Sequence, residues 1–216
     1  MIEKPTLEFL KNLKKNNSKE WFDKNKSIYE KAKLNFEDFI SERILEMAKI
    51  NPNLVGIEAK KCIFRLNRDV RFSKNKEPYK INFGAAISEI GKSMETALFY
   101  FHLEPGNKSF IAAGRYMPDS KSLRAIREKI LDDPDTFKKI IGNKKIKEIF
   151  NDLSDLKVKT APRGYAKDHP EIELLKYTSF IVEKQISDEL LLTKEFTKLW
   201  IDAYKAVFPF ISYFNS

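Results

Sequence analysis

Apolar residues recur in steps of three and four at both ends of this chain and alternate through its middle, and that change of period divides it into elements. Leu7, Leu10 and Leu13 predict a short helix over 6–14. Asn16-Asn17-Ser18 interrupts it, and Ser18 is a suitable N-cap for the next helix. From Lys19 to about Lys49 the helical step is kept by Trp21, Asn25, Ile28, Ala32, Phe36, Phe39, Arg43 and Met47. Phe22, Tyr29, Ile40 and Ile44 widen that stripe. A helix of roughly thirty residues spans on the order of 45 Å, so it bends or crosses the whole domain. Asn51-Pro52-Asn53 ends it.

Alternation begins at Cys62, with Cys62, Phe64 and Leu66 on one face of a strand and Arg65 and Asn67 on the other. Arg68 and Arg71 are three apart and do not share a strand face, so the chain turns or bulges near Asp69. Residues 73–78 read as a polar loop. Runs over 82–90, 97–103 and 109–113 predict further strands, parted by turns at Gly91-Lys92-Ser93 and Glu104-Pro105-Gly106-Asn107. In the middle run Phe99, Phe101 and Leu103 face one side, and Tyr100, His102 and Glu104 the other. Asp119 caps a helix carrying Leu123, Ile126 and Ile130, with shorter helices at 134–141 and 144–152. Residues 156–159 suit an edge strand and 177–183 a further one. Asp168 and Glu171 have capping-box spacing. Ser187 caps a long final helix that Pro209 kinks or ends. The expectation is a single α+β domain over 1–216, an antiparallel meander of four or more strands packed with long N- and C-terminal helices.

Charge adds something to this outline. Lysine and arginine number 40 against 31 acidic residues, yet only eight are arginine. Residues 60–80 carry eight cations against Asp69 and Glu77, which is +6 of the chain's +9. Three of the eight arginines, Arg65, Arg68 and Arg71, fall within seven residues. Arginine is a planar, permanently charged fork that grips phosphate or carboxylate at two points, whereas lysine is a hydrated point charge. The pattern points to an anion site with Arg65, Arg68 and Arg71 as clamps, joined by Lys76 and Lys80 and, from farther along, Arg127 and Lys167. The alternative is an internal salt-bridge lattice, in which Asp69 neutralises one of its two arginine neighbours. His102, with Glu104 two residues on, and Tyr79 are the candidate proton carriers.

Other chemistry is excluded by what the chain lacks. One cysteine allows no intrachain disulfide, and Cys62 with His102 and His169 cannot assemble a zinc cage of the usual Cys/His kind. No nucleotide-binding glycine fingerprint, nucleophile elbow or zinc-protease motif is present, so no cofactor or metal is expected. No apolar run approaches the roughly 18–20 residues a membrane span needs, which makes a cytoplasmic protein with no membrane partner the expectation.

Several blocks carry a further likeness. Trp21-Phe22 with Asn25 and Tyr29, Cys62 to Arg65, Arg68 to Ser73, Lys76, Pro78-Tyr79-Lys80 and Phe83-Gly84 form the first half of it. His102 to Gly106, Gly114, Tyr116-Met117-Pro118, Arg124 to Arg127, Pro162 to Tyr165, Lys167 to Pro170, Lys176 and Phe180 form the second. Together they resemble the family catalogued as domain of unknown function 2461. The resemblance implies a single cytoplasmic domain; it supplies candidate site positions and no reaction. Three functional classes stay open: a small anionic ligand, with or without catalysis; nucleic acid held by residues 60–80 and their interleaved aromatics; or a structural or protein-interaction domain.

Overall fold

Pro5 opens helix α1 (Lys4–Lys15), a position where the missing proline N–H is no loss. Its apolar face buries Leu7, Phe9, Leu10 and Leu13. The computed structural model describes residues 1–216. The long helical pattern beyond α1 is broken into α2 (Lys19–Lys24) and α3 (Lys26–Ala48). Ser18 caps α2 through the amide of Trp21. The break falls at Asn25, whose side-chain amide donates to the Trp21 carbonyl at 2.8 Å, an oxygen its own backbone N–H also uses.

After a 3-10 turn (Pro52–Leu54), the expected strand at 62–66 is replaced by one helical turn, α4 (Ala59–Cys62), and an irregular pairing. Single antiparallel bridges join Ile63 to Ala85 and Asn67 to Tyr79. Phe64 N–H bonds the Gly84 carbonyl, and Lys80 N–H bonds that of Leu66. The alternation is real there, but a bulged ladder leaves too few consecutive bonds for a regular strand. The sheet consists of β1 (Phe83–Ile87), β2 (Leu98–Leu103), β3 (Ser109–Arg115) and β4 (Phe180–Ile186), antiparallel in the order β1-β2-β3-β4. Between β3 and β4 lie α5 (Ser120–Asp132), α6 (Pro134–Ile141), α7 (Lys144–Ile149) and α8 (Ile172–Leu175). Asp119 caps α5 as anticipated. The expected edge strand at 156–159 is reduced to one bridge, Lys157 with Tyr177. The capping box is not formed: His169 Nδ1, rather than Asp168, accepts the Glu171 N–H at 3.0 Å. Ser187 caps a single turn, α9 (Asp188–Leu191), before α10 (Lys194–Asn215), which contains Pro209 and continues past it.

Contacts cluster the chain into two compact units. The first comprises Met1–Lys92, Tyr100–Ile111 and Gln185–Asp202. Its core is aromatic: the Phe39 and Phe196 rings stack at 5.7 Å, and Trp200 meets the edges of both Phe39 and Phe101. The indole N–H of Trp200 is satisfied by Met47 Sδ. Each such fully buried ring contributes about 1.5–3 kcal/mol of hydrophobic free energy. Cys62 is buried in this unit and burial pushes its thiol up to about 11, so it is no nucleophile at neutral pH. The second unit comprises Ser93–Phe99, Ala112–Lys184 and Ala203–Ser216, with Phe137 packed against Phe180 and Tyr213. No helix is long and apolar enough to cross a membrane.

Candidate functional site

The basic stretch of the first unit is two structures. The loop over 69–77 is tied down by its own atoms. Arg71 forms a two-point ion pair with Asp69, Nε to Oδ1 at 3.0 Å and Nη2 to Oδ2 at 2.7 Å. Arg68 donates to the Glu77 carbonyl at 3.1 Å and the Ser73 hydroxyl at 3.3 Å. Lys76 closes the loop on the Val70 carbonyl at 3.1 Å. Carbonyl and hydroxyl oxygens orient the Arg68 and Lys76 cations without cancelling their charge, while Asp69 does neutralise Arg71. At the tip Phe72 is 96% exposed, with the Arg71 guanidinium 5.8 Å from its ring centre.

Beside the loop, the paired segments 63–68 and 78–85 gather a second group of cations. Arg65 is exposed and makes no hydrogen bond or ion pair. Lys80 lies 5.4 Å from the centre of the Phe64 ring, and Lys92 donates to the Ile63 carbonyl at 2.9 Å. Burial, and then the charges of Arg65 and Lys92, hold the Lys80 ammonium below the usual lysine range. Asp69 feels the charge of Arg65 but accepts its hydrogen bonds from Arg71. Three positive groups therefore share one neighbourhood without a carboxylate bonded to any of them.

Phe64 also meets the edge of Tyr100, at 6.3 Å between ring centres, and Tyr100 begins a hydrogen-bonded chain along β2. Its hydroxyl lies 3.4 Å from His102 Nδ1, and the Asn82 amide is at the same distance from that nitrogen. His102 Nε2 lies 3.2 Å from Glu104 Oε2. A carboxylate only accepts, so Nε2 carries the imidazole proton and Nδ1 is the free base that Tyr100 and Asn82 address. The alternation of β2 puts all three side chains on one face. Phe110 stacks on the imidazole at 4.7 Å and fixes its plane. The 104–109 turn is locked by reciprocal bonds between Ser109 Oγ and the Glu104 backbone. Glu104 Oε1 meets Lys14 at 3.7 Å and Lys108 at 3.9 Å, leaving Oε2 to the histidine. Burial pushes the Tyr100 phenol up, which keeps it a proton donor at neutral pH. Gly84 makes room for the arrangement: a Cβ there would lie 2.8 Å from the Tyr100 hydroxyl and 3.6 Å from the Phe64 ring.

A family model described as conserved hypothetical protein (DUF2461) matches residues 5–213. The chain belongs to the DUF2461 family. No curated protein and no solved structure matches it, so the geometry alone carries the functional argument.

Within this DUF2461 chain the candidates separate. Lys80 and His102 are linked through Phe64 and Tyr100, and Arg65 acts on the Lys80 charge, whereas Arg68, Arg71 and Lys76 organise the neighbouring loop. Tyr79 is 6% exposed and its ring stacks on Phe22 at 4.1 Å; its backbone bonds Asn17, and His102 takes Tyr100 as its phenol partner instead. Arg127 and Lys167 belong to the second unit. Arg127 donates to the carbonyls of Leu175 at 2.7 Å and Tyr177 at 3.3 Å, and Lys167 is exposed. Lys92 and Asn82 are residues that the sequence alone does not select. Gly84 is visible there only within the family likeness and as a glycine inside a predicted strand.

Proposed function

We propose that this chain is a cytoplasmic protein that binds a small phosphate- or carboxylate-bearing ligand beside the Tyr100–His102–Glu104 relay, with Arg65, Lys80 and Lys92 as its cationic contacts. One observation carries the reading: Lys80 over the Phe64 ring, Lys92 on the Ile63 carbonyl and the exposed Arg65 gather in one neighbourhood, with no carboxylate bonded to any of the three. Like charges held close cost free energy, and an anion among them removes that cost. Arg65, having no partner in the protein, is the two-point clamp.

The relay gives the same site an acid–base capacity. His102 Nδ1 takes a proton through the Tyr100 hydroxyl, and Glu104 stabilises the resulting imidazolium, in the way a carboxylate supports a catalytic histidine. Which bond would be made or broken depends on the ligand, so binding is the claim to test. Titration calorimetry with inorganic pyrophosphate and with citrate is the experiment. Wild type is expected to bind one of them, and Arg65→Ala to weaken that binding about tenfold, or ~1.4 kcal/mol, with the melting temperature unchanged. Equal affinity in wild type and Arg65→Ala would refute the site.

A second reading is favoured by Phe72, almost wholly exposed beside Arg71 at the tip of the basic loop. An exposed ring among cations is a stacking platform for single-stranded nucleic acid. That reading predicts tight oligonucleotide binding that falls steeply between low and moderate salt and is lost in Phe72→Ala.

A further inference from the structure

Three more of the eight arginines meet elsewhere, wholly within the second unit. Arg124 and Arg127, on successive turns of α5, and Arg163, on the turn over 162–165, line an open cavity of about 680 Å³ together with Ser120, Glu128 and Tyr165. The volume lies within the range of small-molecule sites, roughly 300–1,000 Å³.

Each wall is positioned by a separate device. Arg127 is half-buried and anchored by the carbonyls of Leu175 and Tyr177 through Nε and Nη2, which leaves Nη1 without a protein acceptor. Its guanidinium lies 5.9 Å from the Tyr165 ring centre. Arg124 pairs with Glu128, one helical turn on, at 2.8 Å. Arg163 makes no ion pair or hydrogen bond. It is the second residue of a turn closed by the Tyr165 N–H on the Pro162 carbonyl at 3.2 Å. The third residue, Gly164, has φ +94°, as a type II turn requires, so the turn holds Arg163 and Tyr165 at the cavity together. Asp119 already occupies the amides of Lys121 and Ser122 at the start of α5, so the helix end is not the attraction here; the side chains are.

Three guanidiniums against the single carboxylate of Glu128 leave the lining residues with two uncompensated positive charges. We propose that this cavity is a binding site for an organic phosphate monoester, taken as its dianion, distinct from the site beside the Tyr100–His102–Glu104 relay. Two charges match the dianion. The planar fork of Arg163 and the Nη1 of Arg127 suit its oxygens, and the volume beyond a phosphate leaves room for an organic group against Tyr165. None of these residues belongs to the first site, so a variant of either site tests that site alone.

The test is titration calorimetry of the full chain with phenyl phosphate, at pH 7.5 where it is the dianion and at pH 5 where it is mostly the monoanion (second pKa about 6). The expected result is binding at pH 7.5 that weakens at pH 5. Arg163→Ala and, as a milder variant, Arg163→Lys should weaken it tenfold or more with unchanged melting temperature, while Arg65→Ala leaves it intact. Undiminished binding by both Arg163 variants would overturn the proposal, as would loss of binding in Arg65→Ala. An outcome in which phenyl phosphate does not bind, but a single-stranded oligonucleotide does so through Arg163, would replace it with a nucleic-acid surface.

Discussion

At the scale of single residues, this protein uses arginine for geometry. Arg43 is buried against Glu46 at 3.2 Å, and Arg115, also buried, donates to the carbonyls of Met94 and Thr96. The other six stand in two groups, around the 60–80 stretch and around the cavity on α5, and their neighbours decide what each does. Arg71 has its own carboxylate, Arg68 has carbonyl and hydroxyl oxygens, and Arg65 has only the unbonded charge of Asp69. Arg71→Lys therefore loosens the loop without affecting a ligand at Lys80, whereas Arg65→Ala affects the ligand and not the loop. Gly84 gives a sharper structural prediction. Gly84→Ala places a methyl group 2.8 Å from the Tyr100 hydroxyl. It should cost about 1–3 kcal/mol by overpacking, read from chemical denaturation. It should also displace the His102 ring signals in an NMR spectrum. An unperturbed histidine in that variant would mean that Tyr100 does not hold the relay.

Among the elements, the legible ones are those with long unbroken periods. The α1 stripe, the β2 alternation and the Asp119 cap can all be read from the residues, and β2 carries one of the two candidate proton carriers read from the sequence, His102 with Glu104, beside Tyr100. Structure departs from pattern where a side chain bonds the backbone. The first long helix divides at Asn25, whose side-chain amide shares the Trp21 carbonyl with its own backbone N–H, and His169 takes the Glu171 amide that a capping box would use. The 63–68 segment pairs through isolated bridges, which a period-2 pattern does not distinguish from a strand. Tyr79 departs from expectation for a related reason: its aromatic neighbour Phe22 lies far away in sequence, and no local pattern announces that stack. The cap at α5 has a pH consequence. Hydrogen bonds from the Ser122 hydroxyl, then the Ser122 amide, hold the Asp119 carboxyl below its ordinary value. A group depressed on folding stabilises above its unfolded pKa and loses that contribution as pH falls through the folded one. Stability should therefore decline on acidification below about pH 4, and Asp119→Asn, which caps without titrating, should flatten that part of the curve. A melting-temperature series from pH 5 to pH 2 in both proteins checks it; parallel curves would contradict the assignment.

For the whole molecule, the net charge of +9 sets the field but not the specificity. Many of the lysines form ordinary surface pairs, such as Lys24 with Glu20 and Lys144 with Glu148, which matter little to stability. What sets the molecule apart is the cationic group that its own acids leave uncompensated. The charge of Lys80, costly first through burial and then beside Arg65 and Lys92, should become more favourable once an anion arrives, so binding should raise its pKa. Just below the ordinary lysine value of about 10.4, binding is then expected to proceed with proton uptake, visible as a dependence of the calorimetric heat on the buffer's ionisation enthalpy. A titration of the full chain with inorganic pyrophosphate and, separately, with citrate, followed through the His102 side-chain nitrogens and the Lys80 ammonium by NMR, tests the cationic site most directly. With the anion that binds, both signals should move together and saturate in wild type and stay still in Arg65→Ala. Signals that move with neither anion in wild type, or that move identically in the variant, would contradict the site.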